Sequence, residues 1–343
     1  MSRLIPDGFT LAIIGIVVLS LVLPCAGESA RWVAVGSEFA IALLFFLQGA
    51  RLSRPAVLAG ILHWQLHLII FAATLVIFPV LGLALSLVSG TLLTPPLAIG
   101  LMFLCTLPSA VQASVVFTSI AGGNVATALC SASLSSIIGI VLTPLLVGLL
   151  LQAHVGASLN GLGSVALHLL LPFLAGQALQ VRIEAWMQRR ARAVQLVDRA
   201  SVLLMVYSVF SAATLAGMWS RVPSSSLLAL TVVDAALLAA MLTATAFIAR
   251  RFSLSHEDEI AIVFCGSKKS LVTGIPMANT LFAGASLGLV VLPLMIFHQL
   301  QLMACATLAR RYAYARSAAA DDRSINELDR LRRVQCHGAP RSL

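Results

Sequence analysis

The most informative residues in this sequence are two adjacent lysines, Lys268 and Lys269, which are the only lysines in the chain. They lie in an otherwise apolar stretch that also contains Gly274 and Pro276. A charged side chain inside a membrane span is costly, and it is usually retained where it faces a cavity, a partner charge or a transported ion. Two ammonium groups beside small residues and a helix breaker therefore predict a functional site at membrane depth.

The two lysines are expected to have different partners. Adjacent positions on a helix lie about 100° apart, so the two side chains cannot point the same way. We expect one to face a cavity and the other to reach a carbonyl, a helix C-terminus or a carboxylate. Asp234, near the middle of another apolar stretch, is the expected carboxylate, because an unpaired aspartate would also be costly there. A purely structural Lys–Asp pair is the alternative interpretation.

A second polar interruption lies around Pro108, at the equivalent place in the first half of the chain. Backbone that is not paired within a helix cannot face lipid, so such breaks line cavities or pack inside protein. In many secondary transporters, broken helices meet near the bilayer midplane and bind the substrate or the coupling ion there. Taken alone, each proline is equally compatible with an ordinary kink.

The candidate residues cluster around these interruptions. The candidates for binding substrate or ion are Ser109, Gln112, Ser114, Cys265, Ser267, Lys268, Lys269, Ser270, Asp234 and His298. The candidate helix breakers are Pro108, Gly266, Gly274 and Pro276. Hydroxyls and amides also hydrogen-bond between helices, so a structural role is the alternative for each of them. The six cysteines lack metal-like spacing, and neither a metal site nor a cofactor is predicted.

Composition predicts an integral membrane protein. Of 343 residues, 59% are hydrophobic and 10% are charged, with a mean hydropathy of +0.99, whereas soluble domains carry about 25% charged residues. Ten apolar windows predict ten transmembrane helices. These windows are 8–25, 33–50, 64–88, 95–119, 124–152, 162–181, 196–218, 225–249, 259–282 and 285–309. The net charge of +9 does not predict nucleic-acid binding, because the arginines flank apolar runs and form no stripe.

The arginines and the span count predict topology. Of the loop arginines only Arg31 and Arg221 fall on one side, so both termini are predicted to be cytoplasmic, in a multi-pass protein of the inner membrane. Five spans in each half predict two inverted repeats, residues 1–155 and 156–312. The second repeat includes a basic cytoplasmic loop at 182–199. Residues 313–343 form a charged cytosolic tail, with a short helix expected at 324–334.

Several motifs resemble the bile acid:sodium symporter superfamily, in the branch of bacterial symporter-like proteins that has a vertebrate solute carrier relative. The matching stretches are Leu107–Val116, Gly123–Ala126, Phe264–Leu271 with Gly274–Pro276, and Leu292–Leu294 with Phe297–His298. The resemblance implies an all-α fold of ten transmembrane helices, with a mobile panel domain and a core domain. It also implies that discontinuous helices 4 and 9 cross in the core, where sodium-coupled members bind two sodium ions.

At the sodium ligands this sequence departs from those members. Where they carry a Ser-Asn pair, a glutamate and a glutamine, it carries Ala113–Ser114, Cys265 and Lys268. Losing a carboxylate and gaining an ammonium removes hard oxygen ligands and adds a like charge. This departure from the family pattern predicts transport without sodium, either as a uniport or as a proton-linked process, with the Lys268 ammonium in place of the ion.

The predicted function is secondary transport of a small organic anion, with membrane lipid as the surrounding partner and no nucleic acid. The sequence contains no phosphate-binding glycine loop, no His-Glu-x-x-His and no nucleophile elbow, so an enzyme is not predicted. His298 with Cys265 is the only pair worth considering for catalysis. The alternative is a non-transporting membrane regulator or scaffold that acts through the cytosolic tail.

Overall fold

Helices make up every regular element in the part of the chain that the structure describes. The computed structural model describes residues 8–51, 64–89, 92–155, 159–252, 254–282 and 286–337. The helices are α1 (Gly8–Val22), α2 (Glu28–Arg51), α3 (Trp64–Ala72), α4 (Phe78–Ser89), α5 (Pro95–Thr106), α6 (Val111–Ala121), α7 (Val125–Val155), α8 (Leu159–Arg189), α9 (Ala191–Leu215), α10 (Ser224–Arg251), α11 (His256–Gly266), α12 (Leu271–Leu281) and α13 (Leu287–His337).

Many of these helices are long and apolar enough to cross a membrane. Seven such spans are present within the described ranges, or eight when α5 and α6, which are bent by 61° at a short break, are taken as one. α1 adds a shorter apolar helix, Leu11–Val22. The prediction of an all-α, multi-pass membrane protein is confirmed at this level.

The helices pack in two groups. In the first group, α9 contacts α1, α2 and α8, and α2 packs on α8, while in the second α3 to α7 pack with α10 to α13. The two groups touch where α7, α12 and α13 contact α8 or α9. The most extensive contact joins α2 to α8, where Gly49 and Gly176 face each other's helix. A Cβ on Gly49 would collide with the carbonyl oxygen of Phe173, and one on Gly176 would collide with that of Phe46. Glycine thus permits a close helix crossing of the kind that small residues favour in membranes.

Two stretches differ from their predicted form. Residues 182–199, expected as a loop, are helical except for Arg190, because α8 runs to Arg189 and α9 begins at Ala191. Residues 324–334 are helical as expected, but they belong to the single helix α13. The predicted boundary between the repeats, at 155/156, adjoins residues 156–158, which lie outside the described ranges.

One helix start follows directly from the sequence. Ser255 caps α11: its hydroxyl accepts a 3.1 Å hydrogen bond from the backbone N–H of Asp258. Glu257, Asp258 and Glu259 fill the first turn, where negative charge complements the helix dipole. This cap fixes where the helix that leads to the lysines begins.

Candidate functional site

The first break separates α5 from α6. α5 ends at Thr106, and the chain is extended at Leu107 (φ −71°, ψ 153°) and at Ala110 (φ −83°, ψ 106°) before α6 begins. Pro108 explains the break, because proline disfavours helical geometry at the preceding residue and has no N–H to donate. The predicted break at Pro108 is therefore present.

The second break separates α11 from α12. α11 ends at Gly266, and residues 267–270 leave the helical path before α12 begins at Leu271. Ser270 is the N-cap of α12: its hydroxyl accepts a 3.2 Å hydrogen bond from the N–H of Thr273. Both lysines therefore lie on non-helical backbone, between one helix C-terminus and the next N-terminus.

The two breaks meet, and each satisfies backbone groups of the other. The N–H of Ser270 donates to the carbonyl of Pro108 at 3.1 Å. The hydroxyl of Ser109 donates to the carbonyl of Cys265 at 2.6 Å, and that of Ser114 donates to the carbonyl of Phe264 at 2.9 Å. Since unpaired buried backbone is costly, these contacts stabilise both interruptions inside the protein.

Lys269 binds three backbone carbonyls with one ammonium group. Its Nζ donates to the carbonyl oxygens of Thr74 (2.8 Å), Cys105 (2.8 Å) and Leu107 (2.6 Å), and lies 4.0 Å from the centre of the Phe78 ring. Three donor contacts use all three N–H groups of a charged lysine. The side chain is 0% exposed. The second break thus places a fixed cation at the C-terminal end of α5, where the helix dipole favours positive charge.

The sequence near Thr74 explains why its carbonyl can accept from Lys269. Residues 73–77 form a π-helical turn, in which the N–H of Phe78 donates to the carbonyl of Ala73. In this register the next donor would belong to residue 79, but Pro79 has no N–H. The carbonyl of Thr74 therefore has no helical donor at that position, and the ammonium of Lys269 takes its place.

Lys268 has a different environment. Its Nζ donates to the carbonyl of Ala113 at 2.9 Å and lies 4.3 Å and 4.9 Å from the ring centres of Phe117 and Phe264. This side chain is also 0% exposed. A carbonyl and two ring faces can stabilise a desolvated cation. The two lysines therefore contact opposite sides of the first break: Lys269 binds carbonyls at the end of α5, and Lys268 binds a carbonyl of α6.

Gln301 on α13 binds the backbone of the second break at Lys269. Its Oε1 accepts from the N–H of Lys269 at 2.9 Å, and its Nε2 donates to the carbonyl of Lys269 at 2.9 Å. The same Nε2 lies 2.9 Å from Nδ1 of His298. The sequence identifies His298 as a candidate, and the structure adds Gln301 beside it.

The expected ion pair between lysine and Asp234 is absent. Among the residues that the structure describes, neither carboxylate oxygen of Asp234 has a hydrogen-bond partner, although the residue is 0% exposed. None of the ion pairs formed by the described residues includes Lys268 or Lys269. The prediction of Asp234 as the partner was wrong, whereas the carbonyl at a helix C-terminus that was also expected for one lysine is confirmed by Lys269. Backbone carbonyls, which leave no trace in a sequence pattern, take the place of the carboxylate.

Two of the predicted helix breakers do not break the helix. Gly274 and Pro276 lie inside α12, which continues to Leu281. A Cβ on Gly274 would come within 2.6 Å of a methyl carbon of Leu107. Glycine at 274 therefore serves close packing against the first break. Gly266 is the last residue of α11 and packs similarly, with a Cβ there 2.9 Å from Thr245.

A large cavity lies between the two helix groups. It reaches the place where the two breaks meet, which we call the crossing. Its volume is about 1590 Å³. α1, α2, α8 and α9 line one side, and α6, α7, α12 and α13 line the other. The crossing contributes residues 110–113 and 270–273, and four arginines also line the cavity: Arg51, Arg199, Arg310 and Arg311. Arg51 is paired with Asp198. The walls are otherwise mainly apolar.

The candidates divide into cavity-lining and buried residues. Gln112, Ser270 and His298 line the cavity. Ser109, Ser114, Cys265, Ser267, Lys268 and Lys269 are buried at the crossing and are not part of the lining. The expectation that one lysine faces the cavity is therefore wrong for this conformation. The hydroxyl of Ser267 donates to Val263 in its own helix, and the thiol of Cys265 is 3.6 Å from the carbonyl of Ala128.

Comparison with known proteins relates this chain to a family of transporters. A sequence model of the SBF-like CPA transporter family matches residues 7–314. An uncharacterized protein of Pseudomonas aeruginosa is 53% identical over 323 residues, which cover 93% of this chain and 96% of that protein. YfeH of Escherichia coli is 49% identical (89% and 92% covered), and sodium/bile acid cotransporter 7 of Rattus norvegicus is 31% identical (78% and 80% covered).

Proposed function

Because the chain belongs to the SBF-like CPA transporter family, we propose that it is a secondary transporter that moves an organic anion across the membrane by alternating access. Two lysine ammonium groups occupy the positions of coupling cations in this proposal, so that transport does not require sodium. The observation that carries it is the Lys269 ammonium, bound by three carbonyls at the crossing of two broken helices. The family is one of transporters, and it does not favour an enzyme or a non-transporting scaffold.

The positions of the two lysine ammonium groups support transport that does not require sodium. Backbone carbonyl oxygens are typical ligands of hard cations, and the three carbonyls around Lys269 already receive a tethered positive charge. Lys268 holds a second charge beside Ala113. A sodium ion at either position would meet a like charge only a few ångströms away, and that repulsion opposes its binding.

The cavity supports an amphipathic anion as substrate. Its walls are mainly apolar, and arginines line it together with amides and hydroxyls from the crossing. Arginine binds carboxylate, sulfonate and phosphate groups with paired hydrogen bonds. The rat relative is named as a sodium/bile acid cotransporter, and a bile acid is one molecule with this combination of apolar body and acidic group.

The packing supports an alternating-access mechanism. The group α1, α2, α8 and α9 corresponds to a panel domain, and the remaining helices correspond to a core domain that contains the crossing. We assign ten transmembrane helices in two inverted repeats to this chain, with both termini on the cytoplasmic side of the inner membrane. Rocking of the panel against the core would close the cavity on one side and open it on the other.

Uptake by purified protein in proteoliposomes tests this function. The probes are radiolabelled amphipathic carboxylates and sulfonates, with taurocholate among them, and protein-free liposomes serve as the blank. The expected result is saturable uptake of at least one anion, at the same rate when choline replaces sodium. Uptake that requires sodium would contradict the role of the lysines, and absence of uptake of every probe would count against an anion carrier of this kind.

A further inference from the structure

We propose that His298 is a proton-binding site that couples the cavity to the second break, so that a proton is the ion linked to transport. This inference rests on the proposed transport function and adds its coupling ion. It starts from the hydrogen bonds that join His298, Gln301 and Lys269.

The orientation of the Gln301 side chain is fixed by the backbone of Lys269. A backbone N–H can only donate and a carbonyl can only accept. Because the amide of Gln301 contacts both groups of Lys269 at 2.9 Å, its oxygen must face the N–H and its nitrogen must face the carbonyl. Gln301 is 0% exposed, so water does not compete for these contacts.

This orientation determines the protonation of His298. The Nε2 of Gln301 lies 2.9 Å from Nδ1 of the imidazole, and an amide nitrogen can only donate. Nδ1 must therefore accept, and it carries no hydrogen. In this conformation His298 is neutral, with its hydrogen on Nε2.

Binding of a proton to His298 is incompatible with this arrangement. The proton, delivered by water in the cavity, would add to the lone pair of Nδ1 and give the ring a charge of +1. The new N–H would then face the N–H of Gln301. Turning the amide over would place its NH₂ group against the N–H of Lys269, so both backbone contacts of Lys269 would be lost. Proton binding therefore separates α13 from the second break.

His298 is placed to exchange that proton with the cavity. It lines the cavity, whereas Gln301 and Lys269 are buried behind it. The other titratable groups on the second break, on the helices that contact α13 and on α13 up to residue 316 are Cys105, Arg192, Asp198, Arg199, Tyr207, Asp234, Arg250, Arg251, Lys268, Lys269, Cys305, Arg310, Arg311, Tyr312, Tyr314 and Arg316. The ammonium groups of Lys268 and Lys269 are directed to carbonyls of Ala113 and of the residues around the first break.

The sign of the coupling follows from these contacts. The described conformation requires a neutral His298, so it binds the proton more weakly than a conformation in which Gln301 has released Lys269. Lowering the pH through the titration of His298 therefore depopulates the described conformation. A ligand that binds two conformations unequally shifts their populations, and a coupled proton must do so.

Nuclear magnetic resonance with ¹⁵N-labelled lysine tests the proposal, because Lys268 and Lys269 are the only lysines in the chain. The full chain in detergent micelles should give two backbone amide signals, which Lys268→Arg assigns. The expected result is that the Lys269 signal shifts as the pH is lowered, with the pH dependence of a single bound proton. In His298→Asn, whose side-chain oxygen replaces Nδ1 as a permanent acceptor, that signal should not move.

A variant at a different histidine serves as the control. His256→Asn removes an exposed histidine on α11 and should leave the Lys269 titration unchanged. A Lys269 signal that is constant with pH in the unaltered protein, or that moves equally in His298→Asn, would overturn the proposal. The measurement uses no substrate, so that outcome would leave sodium-independent anion transport standing, and a failed uptake assay would leave the proton site standing.

Discussion

The Nζ of Lys269 donates a 2.6 Å hydrogen bond to the carbonyl oxygen of Leu107, a residue 162 positions earlier in the chain. A side chain from the second break thus occupies the C-terminal end of the helix before the first break. The same ammonium also binds the carbonyls of Thr74 and Cys105. One cation therefore ties together three segments that the sequence keeps far apart.

Replacing Lys269 by methionine should destabilise the protein more than the same change at Lys268. Lys269→Met leaves three buried carbonyls without their donor, at roughly 1–3 kcal/mol each, so a loss of at least about 3 kcal/mol is expected. Lys268→Met removes one carbonyl contact and two ring contacts, and should cost about 1–3 kcal/mol. Unfolding in mixed detergent micelles compares the two. Equal losses would mean that the carbonyls around Lys269 find other donors.

Alanine at the crossing of α2 and α8 should weaken the panel group. In Gly49→Ala or Gly176→Ala the new methyl group meets a backbone carbonyl of the facing helix, which cannot rotate away. Overpacking of this kind typically costs about 1–3 kcal/mol. Gly15→Ala is the matched control, because a Cβ at Gly15 meets nothing within 4 Å. It should leave stability unchanged or raise it by up to about 1 kcal/mol. Thermal unfolding of the three variants measures the difference.

The sequence predicts the first break better than the second. Pro108 ends α5 by removing a donor, a local effect that any proline in a span can have. Pro276 is equally visible in the sequence, yet α12 continues through it, packed with Gly274 against Leu107 and Leu294. Whether a proline breaks a buried helix thus depends on neighbours that are distant in sequence.

The sequence predicts that one lysine reaches a carbonyl at a helix C-terminus, but it does not identify which carbonyls the lysines bind. Asp234 was the expected partner because carboxylates are visible as residue types, whereas the acceptors are backbone carbonyls that every residue possesses. One indirect signal does exist. Pro79 follows the π-helical turn and leaves the carbonyl of Thr74 available, so prolines one turn beyond a polar residue mark candidate acceptors.

Restoring an N–H at position 79 should disturb transport. In Pro79→Ala the new N–H can donate to the carbonyl of Thr74 and compete with the ammonium of Lys269. We expect slower uptake, with thermal stability kept, because the helix gains the hydrogen bond that the lysine loses. Pro172→Ala is the control, because Pro172 lies inside α8 and away from the two breaks. Unchanged uptake in Pro79→Ala would show that the Thr74 contact is dispensable.

Removing a cavity arginine should weaken substrate binding without changing the turnover step. For Arg311→Gln we expect KM to rise about 2–5-fold, since a partly hydrated charge contact contributes about 0.5–1 kcal/mol. Arg251→Gln removes an exposed arginine that does not line the cavity and should leave KM unchanged. Initial uptake rates over a range of anion concentrations give both constants. A loss of kcat alone in Arg311→Gln would place that residue outside substrate binding.

The most direct test of the central claim is the effect of sodium on thermal unfolding, with N-methylglucamine replacing sodium at equal ionic strength. The account predicts that sodium leaves the Tm of the unaltered protein unchanged, because ammonium groups already occupy the cation positions. Lys269→Ala, which empties the three-carbonyl site, should instead gain stability as sodium rises, through mass action. Stabilisation of the unaltered protein by sodium would contradict the account.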